Sequence, residues 1–348
     1  TVKEECGLKA FWEWPAELRA RGESSAKVCA DHPARMLYHQ MTQYFFDRQW
    51  SRLKAYANER DILIIGDLPI YVSRDSVEMW ATPELFKIDA AGNPVSVAGT
   101  PPDQFSATGQ YWGNPIYDWE RMEQDGFSWW MRRLRAAGEN FDVVRIDHFR
   151  GIESYWAIPA VNRTARKGEW IQGPGMKLVR AIRENCPDTD FIAEDLGFLT
   201  PEVQKLVKES GFPGMKVLEF AFDPREPSNY LPDRYPENCI CYTGTHDNET
   251  LIQWCEGLDA ECDAYAREYL GISAADDLAD AIIEAGMQSR AQLFIMQMQD
   301  YLRLGKEARM NEPGTLKPEN WRWRMLPGQA SEELAQEIYR LTRDTKRV

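Results

Sequence analysis

The 348-residue sequence predicts an α/β fold of the (β/α) barrel type. Three observations support this. Short apolar runs alternate with helical stretches, the signature of a parallel sheet. Each run ends in polar, glycine-containing sequence, as strands do when a barrel keeps its working face at their C-terminal ends. Three of the runs are followed by an acid, namely Asp147, Glu194 and Asp247.

Taken in order, residues 1 to about 60 read as a helical subdomain, with helices over 10–21 and 34–57. The second carries Tyr38, Met41, Tyr44, Phe45 and Trp50 at mixed helical spacings. The remainder, 61–348, reads as the catalytic barrel. Its first strand is 62–65, terminated by Gly66, Asp67, Leu68 and Pro69. Residues 71–117 are rich in glycine and proline and read as a long structureless connection, a kind that is usually functional. A helix over 119–137 leads into the strand 141–146, whose apolar residues are Phe141, Val143, Val144 and Ile146. Then follow a helix at 176–185, a strand from 190, and a helix at 201–210 with Thr200 as its N-cap. Strands at 215–222 and 239–242, two helices within 259–284 and an apolar segment at 291–298, helical or extended, come next. An amphipathic helix at 332–345 closes the chain. That makes six strand candidates, where a closed barrel of this class has eight.

A formal charge of −14 argues against nucleic acid or an anionic membrane as partner. It suits a neutral ligand. Thirteen tryptophans, some adjacent as in Trp129 and Trp130, suggest flat apolar platforms with an N–H donor, which fit sugar rings. Seven cysteines without a CxxC read as free thiols of a cytoplasmic protein. Neither a signal-peptide pattern nor an apolar run of 18 residues is present. Thr1 stands where an initiator Met is expected, so the N-terminus is expected upstream.

Strand alternation puts Arg145 and Asp147 on one face, where the guanidinium favours an ionised carboxylate. A structural Arg–Asp pair closing a strand is the alternative. Three acids on one rim repel one another, so such a cluster usually serves metal binding or acid/base work. With only four histidines, two of them (His148, His246) beside the acids, no metal site is predicted. Glycoside chemistry uses the set directly: Asp147 as ionised nucleophile, Glu194 among other acids as a general acid with raised pKa, and Asp247 holding sugar hydroxyls. The histidines then serve as neutral donors or as packed imidazoles.

Six segments resemble a known family: GDLPIY at 66–71, GTPPD at 99–103, GQYWGNP at 109–115, RIDHFRG at 145–151, AEDLG at 193–197 and GTHDN at 244–248. They are similar to the 4-alpha-glucanotransferases, or amylomaltases, of the alpha-amylase clan, as are RMN at 309–311 and NWRWR at 320–324. The resemblance implies Asp147 as the nucleophile of a covalent glycosyl enzyme, Glu194 as acid/base and Asp247 as the stabiliser of the oxocarbenium-like state. Arg145, His148, His246 and Asp67 would line the sugar subsite at the cleavage point. Residues 95–117 would form a lid, with Tyr111, Trp112 and Asn114 touching glucan and Asn311 in a facing loop. No cofactor is implied. The donor would be an alpha-1,4-glucan, the acceptor glucose or a maltodextrin, and the enzyme a monomer.

That family carries a segment ahead of the helical subdomain with the first two barrel strands, which agrees with the count of six. The sequence is therefore expected to be incomplete at its N-terminus, leaving apolar barrel interior and two sheet edges open to water. Three functional readings stand: a retaining transferase, a retaining alpha-glucan hydrolase with a wetter site, and an inactive glucan-binding fragment.

Overall fold

A computed structural model describes residues 1–102, 106–197, 199–225 and 228–347. The chain divides into two compact units, Thr1–Phe212 and Pro213–Val348. Ten strands occur among the described residues. In the first unit these are β1 (Ile65–Leu68), β2 (Ser96–Thr100), β3 (Gln110–Pro115), β4 (Val143–Ile146), β5 (Ser154–Pro159), β6 (Glu169–Gln172) and β7 (Asp190–Ala193). The second unit has β8 (Gly214–Val217), β9 (Cys239–Tyr242) and β10 (Leu293–Ile295). All six expected strands are present.

In the first unit β1, β4 and β7 form a parallel sheet in that order, with Asp67 beside Arg145 and Arg145 beside Ile192. On β4, Val144 and Ile146 join the main core while Arg145 between them turns to the other face. The helices that cover the core follow from spacing. Met176–Asn185 buries Leu178, Val179 and Ile182 and keeps Lys177, Arg180 and Arg183 outside the core. Pro201–Ser210 starts on Thr200, whose Oγ1 accepts the Val203 N–H, has Pro201 in its first turn, and stops at Gly211 with φ +74°.

The stretch 71–117 is not structureless. It contributes β2 and β3 to an antiparallel sheet of order β3-β2-β5-β6, whose other two strands were not foreseen. Short strands with Gly99, Gly109 and Pro115 at or near their ends hide β-pairing behind turn-forming residues. Asp103 of the GTPPD segment lies outside the described residues.

Other boundaries move for local reasons. The first strand begins where 62–65 was expected to end, because β1 follows the hydrogen bonds of β4 rather than the apolar run. Residues 10–21 form two short 3-10 turns, Phe11–Glu13 and Ala16–Leu18, separated by Pro15. The helix expected over 119–137 breaks at Gly126 and at Phe127, which is left-handed with φ +57°. Helix Pro33–Asn58 has no buried residue, and the Trp50 indole N–H anchors it on the Asn140 carbonyl at 2.7 Å.

The second unit has a parallel sheet ordered β10-β9-β8. Leu218, Cys241, Leu251, Ile282 and Met287 lie in its core. The expected strand 215–222 gives way at residue 218 to a 3-10 turn, and 291–298 is extended over β10. All seven cysteines are free. Among the described residues no helix is long and apolar enough to cross a membrane.

Gly66 on β1 lies against the Phe141 ring, and a Cβ added there would overlap it. Gly66→Ala is expected to lower the unfolding free energy by about 1–3 kcal/mol, read as a lower urea midpoint at unchanged slope. An unshifted midpoint would show that the ring gives way freely.

Candidate active site

Asp147 and Glu194 occupy equivalent places on neighbouring parallel strands, each the first residue beyond its strand end. The Asp147 N–H donates to the Leu68 carbonyl at 3.0 Å and the Glu194 N–H to the Ile146 carbonyl at 3.1 Å. The sheet therefore aims both acids from one edge.

Between them stands Arg145, which is 8% exposed. Its Nη1 lies 2.7 Å from both carboxylate oxygens of Asp67 and 3.2 Å from Asp147 Oδ1. Burial alone would disfavour the guanidinium charge, but Asp67, Glu194 and Asp147 outweigh it and raise the pKa above the arginine norm. Asp67 is thus the closer partner. The permanent positive charge beside Asp147 favours its ionised form.

Glu194 is in the opposite condition. It is 8% exposed, and burial pushes its pKa from 4.5 up to about 7. The Arg145 charge opposes that rise and the Asp147 charge adds to it. The N–H groups of Leu196 (2.8 Å, to Oε1) and His148 (2.7 Å, to Oε2) also oppose it. Repulsion by neighbouring acids, the cause expected from sequence, is therefore secondary to desolvation. A carboxyl balanced near neutrality can give and take a proton.

His148 adopts a left-handed backbone, φ +50°, which turns its N–H toward Glu194. Burial, then the Arg150 charge, pushes its imidazole pKa down to about 3, so the ring is a neutral group. Trp112 meets it edge to face, with centroids 4.8 Å apart. Of the other residues singled out on β3, Tyr111 is partly exposed, and Asn114 donates its Nδ2 to the Val72 carbonyl at 2.8 Å. The first unit thus brings together Asp67, Arg145, Asp147, His148, Glu194 and Trp112.

The second unit builds around Asp247 in the turn after β9. Its Oδ1 accepts from Asn311 Nδ2 at 2.7 Å, and its Oδ2 lies 3.5 Å from His246 Nε2. Arg309 donates to the Asp247 carbonyl at 3.1 Å, to Glu249 Oε1 at 3.3 Å and to the Asn311 carbonyl at 2.9 Å. The turn is pinned from within by Asn248 Oδ1, which accepts from Thr245 N–H and Oγ1.

Sequence reasoning gave no role to Glu219 and Arg309 in the second unit or to Tyr71 in the first. Glu219, just after β8, is buried under the turn, and a Cβ at Gly244 would come 2.6 Å from its Oε1. Burial, then Asp300 and Glu249, hold its pKa well above the glutamate norm against the pull of Arg309. An acid following the mostly apolar run Met215–Leu218, interrupted by Lys216, resembles the pattern that marked the other three, but the expected strand 215–222 runs through it. Tyr71, last of the GDLPIY segment, stacks on Tyr117 with centroids 5.9 Å apart, and its buried hydroxyl has no hydrogen-bond partner among the described residues. Arg309 belongs to the RMN segment at 309–311 but carries no expected role, because arginine in a loop is ordinary. No group of three or more His, Cys, Asp or Glu among the described residues has metal-binding geometry.

The family described as 4-alpha-glucanotransferase, glycoside hydrolase family 77, matches residues 1–329. The 4-alpha-glucanotransferase of Streptococcus pneumoniae is 47% identical over 350 residues, covering 100% of this chain and 69% of that protein. The Thermus thermophilus enzyme of the same name is 46% identical, covering 96% and 68%. Among solved structures, the amylomaltase of Streptococcus agalactiae in complex with acarbose superposes with a TM-score of 0.95 at 40% identity, over 99% of this chain and 70% of that one. The amylomaltase of Corynebacterium glutamicum, at 18% identity and a TM-score of 0.74 over 97% and 58%, shares the fold. The expected α/β fold of TIM-barrel type therefore holds. With its family match, its relatives and its fold in agreement, the chain belongs to the 4-alpha-glucanotransferases of glycoside hydrolase family 77, enzymes of glycosyl transfer.

Proposed function

We propose that Asp147, Glu194 and Asp247 perform a retaining double displacement that moves alpha-1,4-glucan segments from one maltodextrin to the 4-hydroxyl of another or of glucose. The observation that best supports this is the contrast at neighbouring strand ends: Asp147 beside the Arg145 charge, Glu194 buried with a pKa near 7. A nucleophile and a general acid need those two conditions. Asp147 Oδ attacks the anomeric carbon as the glycosidic C–O bond breaks, and Glu194 gives its proton to the departing oxygen. Glu194, now a carboxylate, takes the proton of the acceptor hydroxyl, whose oxygen displaces Asp147 and restores both groups.

Asp247, held by Asn311, would bind sugar hydroxyls and stabilise the positive charge that develops on the ring. Neutral His148, with His246, Arg145 and Asp67, would line the subsite at the cleavage point. Trp112, with Tyr111 and Asn114, would belong to a lid over 95–117 that excludes water, so that a sugar hydroxyl outcompetes hydrolysis. Residues 1–60 form an inserted helical subdomain in this reading and 61–348 the catalytic remainder. The reading extends to a monomer in the cytoplasm, where seven free thiols stay reduced, with no membrane or nucleic-acid partner.

Incubation with maltotriose is expected to yield glucose and a ladder of longer oligomers at constant total reducing ends. A rise in reducing ends would instead mark a hydrolase. Asp147→Asn is expected to abolish transfer with the melting temperature nearly unchanged, and near-normal activity in that variant would sink the assignment. Since Glu194 must be protonated to act, kcat/KM is expected to fall as pH rises through about 7.

The same group makes a stability prediction. A pKa raised from 4.5 to about 7 contributes stability that is complete below 4.5 and lost as pH passes 7. Relative to Glu194→Gln, which does not titrate, the wild-type chain should lose up to about 3 kcal/mol between pH 4 and 8. Denaturant unfolding at the two pH values measures this, and a constant difference would show that Glu194 ionises normally.

A further inference from the structure

The loop from Arg309 to Arg324 has a narrow neck, closed where the Trp321 N–H donates to the Met310 carbonyl at 2.7 Å. Asn320 braces it from inside: its Oδ1 accepts the Glu312 N–H at 3.3 Å and its Nδ2 donates to Thr315 Oγ1 at 3.1 Å. On one side of the neck Asn311 holds Asp247 Oδ1. On the other, the Trp321 ring lies against His246, centroids 5.0 Å apart and planes tilted by 43°. Both sides of one neck therefore grip adjacent residues of the turn.

Trp321 is an unusual residue for that position. Its φ is +64°, a left-handed backbone that costs a bulky side chain about 1–2 kcal/mol and costs glycine almost nothing. The residue is 54% exposed, so burial recovers little of that cost. A side chain that neither suits its backbone nor fills a core points to a use outside the fold. An open indole face matches the apolar C–H face of a pyranose ring. The nearby carboxylates of Glu249 and Glu312 are already paired with Arg309 and Lys317, so the surroundings call for no charged ligand and a neutral sugar is the fitting class.

We propose that Trp321 determines specificity as the stacking platform for the glucose unit adjoining the one that His246 and Asp247 hold. This rests on the glucan site described under the proposed function. It predicts that the ring serves binding and the backbone does not need it.

The test uses the full chain in an Asp147→Asn background, which holds substrate without turning it over. Calorimetry with maltotetraose reads affinity, and thermal unfolding reads stability. Trp321→Gly, which relieves the left-handed strain, is expected to weaken the Kd on the order of tenfold, the loss from uncovering one indole face. Its melting temperature should stay level or rise. Trp321→Phe, which keeps an aromatic face, should hold the Kd within about threefold. Unchanged affinity in Trp321→Gly would overturn the proposal. So would a loss of affinity accompanied by a lower melting temperature and not restored by Phe, since that marks the ring as packing. Failure of the parent itself to bind maltotetraose would overturn the glucan-site reading, and this platform with it.

Discussion

One guanidinium compensates three acids, and the first unit's chemistry depends on that imbalance. Arg145 touches Asp67 and Asp147 directly and feels Glu194. The two carboxylates in contact have side chains about 40% exposed, so water screens part of their repulsion. Glu194 has no such relief. With one positive charge already shared and its own carboxyl out of solvent, it escapes by retaining a proton. The same arrangement thus sets a positive charge beside one acid and raises the pKa of its neighbour.

The sheet supplies the spacing. β1, β4 and β7 are parallel and in register, so Asp67 and Arg145 stand side by side, while Asp147 and Glu194 leave their strands at the same level. Val144, Ile146 and Ala193, fully buried on the helix-covered face, hold that register, because a slip of one residue would turn Arg145 into the core. His148 then uses a strained backbone to donate its N–H to Glu194, a local cost that the packed sheet sustains.

The second unit reaches the same end with loops. Asp247 sits in a turn held by Asn311, Arg309 and Asn248, and supported beneath by a buried Glu219 whose pKa burial raises. Side-chain hydrogen bonds do here what strand register does in the first unit. They come from residues up to 64 positions away, as with Asn311 and Asp247.

Apolar runs followed by acids made the six parallel strands and Asp147, Glu194 and Asp247 legible in the sequence, because strand burial and strand-end polarity are local properties. Thr200 likewise announced the helix that follows it. The antiparallel sheet was not legible: the pairing of β2 with β3 and β5 depends on distant partners, and glycine and proline near its strand ends mimic loops. Nor could composition reveal that Arg145 prefers Asp67, that desolvation rather than repulsion tunes Glu194, or that Trp321 lies left-handed beside His246. Residue type and spacing determined which groups are present. Burial and register, which exist only once the chain is folded, decided their charge.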